Sequence, residues 1–189
     1  MLVQEIEHRA LLRRLRVLST ELTENCDRIN YGGCCVMAGI AGEALLALGV
    51  QCEVIAPWKA DYSNNTPLHK IKELAEECSP EEYDMYGLRR SHLAVRFRSQ
   101  TPGAKLPHRV YTWDSDGLYL TKKWFADMEY YCGLSFGRGL TVREAQELGK
   151  CAGDWNCEFD RDQIPLMQEI TDAVLLAPLK PHERMNHVD

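Results

Sequence analysis

The stretch that most restricts how this chain can fold is NYGGCCVMAGIAGEALLALGVQCEVIA, from Asn30 to Ala56. Gly32 and Gly33 permit a tight backbone turn, and Gly49 breaks the alanine- and leucine-rich run that follows. Between them Met37, Ile40, Ala41, Ala44, Leu45 and Leu48 recur at the three-and-four spacing of a helix, so one apolar stripe is expected to face a core. After Gly49, the alternation of Val50, Cys52, Val54 and Ala56 reads as one face of a half-buried strand. The predicted unit is a glycine turn, a helix and a strand, with a thiol where turn becomes helix. One helical turn back from Met37 and two from Ala41, the stripe reaches Cys34, whereas Cys35 falls beside Gly39, Gly42 and Glu43. A thiol in the first turn feels the positive end of the helix dipole and unpaired backbone amides, which lower its pKa and can hold an oxyanion. A cysteine next to a buried helix is also an ordinary small core residue, so its partners decide between the two roles.

At 189 residues, with an apolar share of 45%, the chain is long enough to bury a sizeable core as one domain spanning 1–189. A net charge of −6 argues against a nucleic-acid surface, which needs a basic stripe. The short clusters Arg9, Arg13, Arg14, Arg16 and Arg89, Arg90 read as solvated helix faces. Glu5, Glu7, Arg9 and Arg13 interrupt the first residues, so these read neither as a signal peptide nor as a membrane span, and a cytoplasmic protein is expected. The eight cysteines are expected to be mostly reduced.

Residues 2–24 carry apolar positions on one side and arginines on the other, the pattern of an amphipathic helix. Residues 57–90, with Pro57, Asn64, Asn65, Pro67 and PEEYDMYG, break the periodicity and read as an excursion able to cover or line a cleft. From Ser91 a strand returns, with Leu93, Val95 and Phe97 on one face and His92, Ala94, Arg96 and Arg98 on the other. TPGAKLP is a plausible hairpin loop, Arg109 to Trp113 its partner strand, and Asp114 ends that strand before the turn Ser115, Asp116, Gly117. Antiparallel pairing would bring His92 and Asp114 to the same end of the ladder. The segment 121–177 reads as mainly helical: Thr121 to Tyr130, then Thr141 with Glu144 as a capping box for a helix through Lys150, then Gln163 to Leu176 before Pro178. Asp154, Asn156, Glu158, Asp160 and Asp162 space like a calcium loop, but Phe159 stands where glycine is needed and Pro165 where a bidentate glutamate is needed.

Cys34, His92 and Asp114 thus make a set: a thiol at a helix start, an imidazole at a strand start and a carboxylate at the end of the neighbouring strand. A thiolate needs a base in hydrogen-bond reach, and that base needs a third group to fix its tautomer and stabilise its imidazolium. Asn30 could supply an oxyanion donor or simply end a loop by bonding its own backbone. Asp116 is read as a turn residue and Trp113 as core; His69, His108, His182 and His187 are read as surface residues.

The pieces GGCCVMA, ALLALGVQCEVI, SHLAVRF and YTWDSDGLY together resemble the papain-like superfamily, particularly its transglutaminase-like and small cysteine-peptidase branches. The combination of Asn30 with GGC and of a terminal WDSDG also looks like small proteins encoded by bacteriophages. The resemblance covers roughly Asn30 to Ala56 and Ser91 to Leu120, and it implies an α+β fold with N-terminal helices packed on an antiparallel sheet or small barrel. It implies a nucleophile at Cys34, a base at His92 and an orienting carboxylate at Asp114. Cys35 replaces the aromatic that usually follows the nucleophile, and the upstream glutamine of papain-like peptidases has no clear equivalent. Arylamine acetyltransferases share the order and the glycine pair, and a match to them would move the nucleophile to Cys35. The implied function is cysteine-dependent acyl transfer, by a peptidase, amidase or transglutaminase-like enzyme working through a thioester. Its substrate would be a protein, a peptide or a small amide, with no cofactor, metal, nucleic acid or membrane involved. The alternatives are a non-catalytic protein of this fold that binds a host or partner protein, and a zinc module drawing on Cys26, Cys34, Cys151 and Cys157.

Overall fold

The computed structural model describes residues 7–29, 33–55, 58–59, 92–98, 109–132, 134–135, 139–141, 143, 159–180 and 183. It is an α+β structure. The first helix, α1 (His8–Asn25), buries Ala10, Leu11, Leu15, Leu18 and Leu22, and Glu7 caps its start by accepting from the Ala10 amide at 3.0 Å. Within the described residues, the apolar positions expected from Ala10 to Leu22 form the face that α1 turns inward, while Leu2, Val3 and Ile6 lie outside the described residues.

The second helix, α2 (Cys34–Ala47), departs from the one-stripe expectation. Cys34, Cys35, Met37, Ala38, Gly39, Ile40, Ala41, Gly42, Ala44 and Leu45 are all buried, so the helix is covered nearly all round. Its neighbours explain this. It packs against the sheet on one side and against the C-terminal helical segment on the other, and its small residues let both approach. Cys35 is therefore buried along with Cys34, and burial does not separate the two. Gly33 has an ordinary helical φ of −73°. What requires glycine there is room: an added Cβ would lie 2.7 Å from Cδ2 of Phe159. At the other end Gly49 adopts φ 77°, and its amide and that of Val50 return to the carbonyls of Leu46 and Leu45 at 2.9 Å each. That is a Schellman stop, in which a left-handed residue lets the chain turn away from the helix.

The strands are β1 (Cys52–Ile55), β2 (Trp58–Lys59), β3 (Ala94–Arg98), β4 (Val110–Asp114), β5 (Gly117–Leu120), β6 (Leu134–Ser135) and β7 (Gly139–Leu140). Four of them and the two-residue β7 form an open antiparallel sheet in the order β5-β4-β3-β1-β7, while β2 pairs with β6. The alternation expected along β3 holds. Leu93, Val95 and Phe97 join Val54 and Trp113 in the core shared with α1 and α2, and Ala94 lies in a second cluster with Ile55, Trp124 and Phe125. The second cluster is closed by α3 (Thr121–Cys132), which starts directly after β5.

The C-terminal segment runs from a 3-10 turn (Arg161–Gln163) into α4 (Ile164–Thr171) and then a π-helical turn (Asp172–Leu176). Asp160, weighed above as a calcium ligand, instead caps the 3-10 turn by accepting from the Asp162 amide at 2.9 Å. Arg14 is not on a solvated face. Its guanidinium bonds Glu183 at 2.8 Å and 3.2 Å and the carbonyls of Leu175 and Ala177 at 2.8 Å and 2.9 Å, because the end of the helical segment presents unpaired carbonyls there. Among the described residues no helix is long and apolar enough to cross a membrane. Asn30, Gly32, most of the 57–90 excursion, the TPGAKLP loop, Glu144 with the helix expected after it, and Cys151 and Cys157 lie outside the described residues.

Candidate active site

The β3–β4 register pairs Val95 with Trp113 and Arg96 with Thr112. Continued past the end of the ladder, it sets Asp114 opposite Ala94 and diagonal to His92, on one face of the sheet. The two side chains meet there, His92 Nε2 lying 3.0 Å from Asp114 Oδ2. His92 is 8% exposed and Asp114 1%.

Asp114 is held from several sides. Its Oδ1 accepts from the amides of Asp116 and Gly117 at 3.0 Å and 3.1 Å, the Asx arrangement of a tight turn. Its Oδ2 accepts from the indole Nε1 of Trp124 at 2.6 Å as well as facing His92. Its main-chain carbonyl accepts from Ser19 Oγ at 2.9 Å, and the next carbonyl, Ser115, accepts from Thr23 Oγ1 at 3.1 Å. Asp116 thus contributes an amide to the turn, in keeping with its reading as a turn residue. Trp113 is core, fully buried, with its Nε1 donating to Leu15 O at 2.7 Å.

Cys34 opens α2 and is 4% exposed. Three neighbours act on its sulfur: the thiol of Cys35, the His92 side chain and the Leu93 backbone amide. The Cys35 thiol is the strongest influence lowering the Cys34 pKa; burial opposes it, and the hydrogen bond and positive charge of His92 with the Leu93 amide leave Cys34 well below an ordinary thiol. For His92, burial alone would push the imidazole toward neutrality, but the hydrogen bonds and negative charges of Asp114 and Cys34 outweigh it and raise its pKa to about 10. Both shifts favour the same species, a thiolate beside an imidazolium.

The structure therefore brings Cys34, His92 and Asp114 together, and places Cys35 against the Cys34 sulfur. None of Cys26, Cys34, Cys35 and Cys52 is in a disulfide bond, and among the described residues no group of three His, Cys, Asp or Glu side chains is placed to hold a metal ion. Burial and the Glu53 charge push the Cys52 thiol up to about 11, so a depressed value is not general to these thiols. Trp124, Ser19 and Thr23 were not singled out from the sequence. A signal existed for Trp124: a helix starting four residues after the Asp114 turn must fold back over β4, and a buried indole N–H needs an acceptor. Ser19 and Thr23, one helical turn apart, carried no comparable mark. No protein-family model matches the chain, and neither the curated proteins nor the solved structures compared with it give a match.

Proposed function

We propose that this chain is a cysteine-dependent acyl-transfer enzyme of papain-like or transglutaminase-like type, with Cys34 as nucleophile, His92 as acid and base, and Asp114 as the group that orients His92. The observation that carries the reading is His92 Nε2 lying 3.0 Å from Asp114 Oδ2, in a buried site where His92 also acts on the Cys34 thiol at the start of α2. In the reaction, the Cys34 thiolate attacks the carbonyl carbon of an amide or ester, a C–S bond forms and the carbonyl oxygen takes the negative charge. Donors to that oxyanion would come from the first turn of α2, where backbone amides have no acceptor within the helix. The His92 imidazolium then gives its proton to the departing nitrogen or oxygen as that bond breaks, leaving a thioester. Water or an amine, deprotonated by His92, attacks the thioester and releases Cys34.

A second reading, a non-catalytic protein of the same fold that binds a partner, is favoured by the enclosure of Cys34 and His92, only 4% and 8% exposed. Iodoacetamide alkylation across pH, with the modified cysteine located by mass spectrometry, separates the two. Under the enzyme reading Cys34 labels rapidly at pH ~6–7, where a free thiol near ~8.5 is mostly protonated. His92→Ala slows that labelling by roughly a hundredfold or more, and Cys35→Ala leaves the label on Cys34. Labelling no faster than an ordinary thiol, or indifferent to His92→Ala, would leave the binding reading standing.

A further inference from the structure

Asp114 has more hydrogen-bond donors than a carboxylate needs merely to orient a histidine. Oδ1 is occupied by two turn amides. Oδ2 faces His92 at 3.0 Å, yet the nearer donor to that same atom is Trp124 Nε1 at 2.6 Å. A buried indole N–H requires some acceptor, and a backbone carbonyl is sufficient, as Trp113 shows by using Leu15. Trp124 takes a charged oxygen instead, and a hydrogen bond to a carboxylate is roughly twice as strong as one between neutral groups. Its ring also lies 6.1 Å from the His92 ring at an interplanar angle of 31°, so a single side chain touches both members of the pair. The placement is built into the fold. Thr112 on β4 and Thr121 at the start of α3 are hydrogen-bonded at 2.9 Å, which docks the first turn of α3 two residues from Asp114, and Trp124 is 1% exposed.

We propose that Trp124 is a positioning residue: by sharing Oδ2 of Asp114 with His92, it fixes where that oxygen sits and limits how tightly the carboxylate holds the imidazolium. This rests on the reading of Cys34, His92 and Asp114 as catalytic machinery and adds a group that regulates it. Oδ2 has a finite negative charge to share between two donors. Remove one, and the charge falls to the other, so the imidazolium gains stability and His92 becomes a poorer acid. Its surroundings otherwise stay the same: Cys34 and Cys35 on α2, Asp116 in the turn, Tyr119 on β5, and the Lys123–Asp127 ion pair of α3 beside Tyr119.

Trp124→Phe keeps an aromatic ring against His92 and deletes only the donor. The measurement is the titration of the His92 ring nitrogens by two-dimensional nitrogen NMR, in wild type and in Trp124→Phe. The expected result is an upward move of the His92 midpoint by roughly half a pH unit or more in the variant. An unchanged or lowered midpoint in a folded Trp124→Phe protein would overturn the proposal, because a purely space-filling tryptophan predicts lost stability without this shift. Should the variant fail to fold, the Trp124 indole proton of the wild type gives the answer: it is expected downfield and moving with the His92 midpoint, and an indole signal indifferent to that titration overturns the proposal. Failure of the enzyme reading looks different, since His92 in the wild type would then titrate as an ordinary imidazole near ~6.5.

Discussion

At Cys34 and His92 two ionisations are moved in opposite directions, Cys34 chiefly by Cys35, His92, against the cost of burial, by Asp114, and each also by the other, and the consequence reaches beyond reactivity to stability. The raised His92 pKa contributes stability that is complete below the unfolded imidazole value of about 6.5 and is lost as pH rises through about 10. The depressed Cys34 pKa contributes stability that is complete above the unfolded thiol value of about 8.5 and is lost as pH falls through the folded value. Between about 6.5 and 8.5 the loss from one group is offset by the gain from the other, since folded and unfolded chains hold the same number of protons on the pair. The pair's contribution should therefore be level across that window, fall above about 8.5, and fall again in acid toward the depressed Cys34 value. Urea midpoints taken across pH for wild type and the double variant Cys34→Ala with His92→Ala, which removes both titrating groups, check this. The difference between the two curves should be a plateau with two descending sides, and a difference that slopes steadily through neutral pH would contradict the ion pair.

At the scale of elements, the entry into α2 depends on one close approach. A methyl group at Gly33 would meet Phe159 at 2.7 Å and 2.9 Å, and the aromatic ring is too rigid to yield cheaply. Gly33→Ala should cost about 1–3 kcal/mol in urea unfolding, the range for overpacking. Combining it with Phe159→Leu should cost less than the sum of the two, because both act on the same contact. That contact also marks a limit of what the sequence shows. The helix of α2, the alternation of β3, the antiparallel return to β4 and the meeting of His92 with Asp114 all follow from local periodicity and turn chemistry, so they were legible. Phe159 stood 126 positions from Gly33, and nothing local joins them, so it read only as the flaw in a calcium loop. The all-round burial of α2 was missed for a similar reason: a stripe shows which face meets the first neighbour but not that a second layer, α4, covers the opposite face. Trp124 fell between the two cases, readable as helix but not as a donor to Asp114.

Across the whole molecule, α1 joins two distant regions. Arg14, near its middle, holds Glu183 and the carbonyls of Leu175 and Ala177, so it ties down the C-terminal segment. Further along the same helix, Ser19 and Thr23 hold the carbonyls of Asp114 and Ser115 at the turn that presents the proposed catalytic carboxylate. The two attachments should separate by experiment. Arg14→Met leaves a nearly buried Glu183 carboxylate without its guanidinium, since both side chains are only 11% exposed, and should lower stability by about 3 kcal/mol. It does not touch the turn, so alkylation of Cys34 in the folded protein should stay within roughly twofold of wild type. Ser19→Ala with Thr23→Val removes two hydrogen bonds, worth about 1 kcal/mol each, and frees the turn carbonyls. A small displacement of Asp114 loosens the orientation of His92, and rates depend steeply on such placement, so labelling of Cys34 should slow by roughly threefold to tenfold. Equal losses of labelling in the two variants, measured where both remain folded, would mean that α1 supports the site only through general stability. Slowing confined to the Ser19 and Thr23 variant would make α1 the strut that sets the position of Asp114.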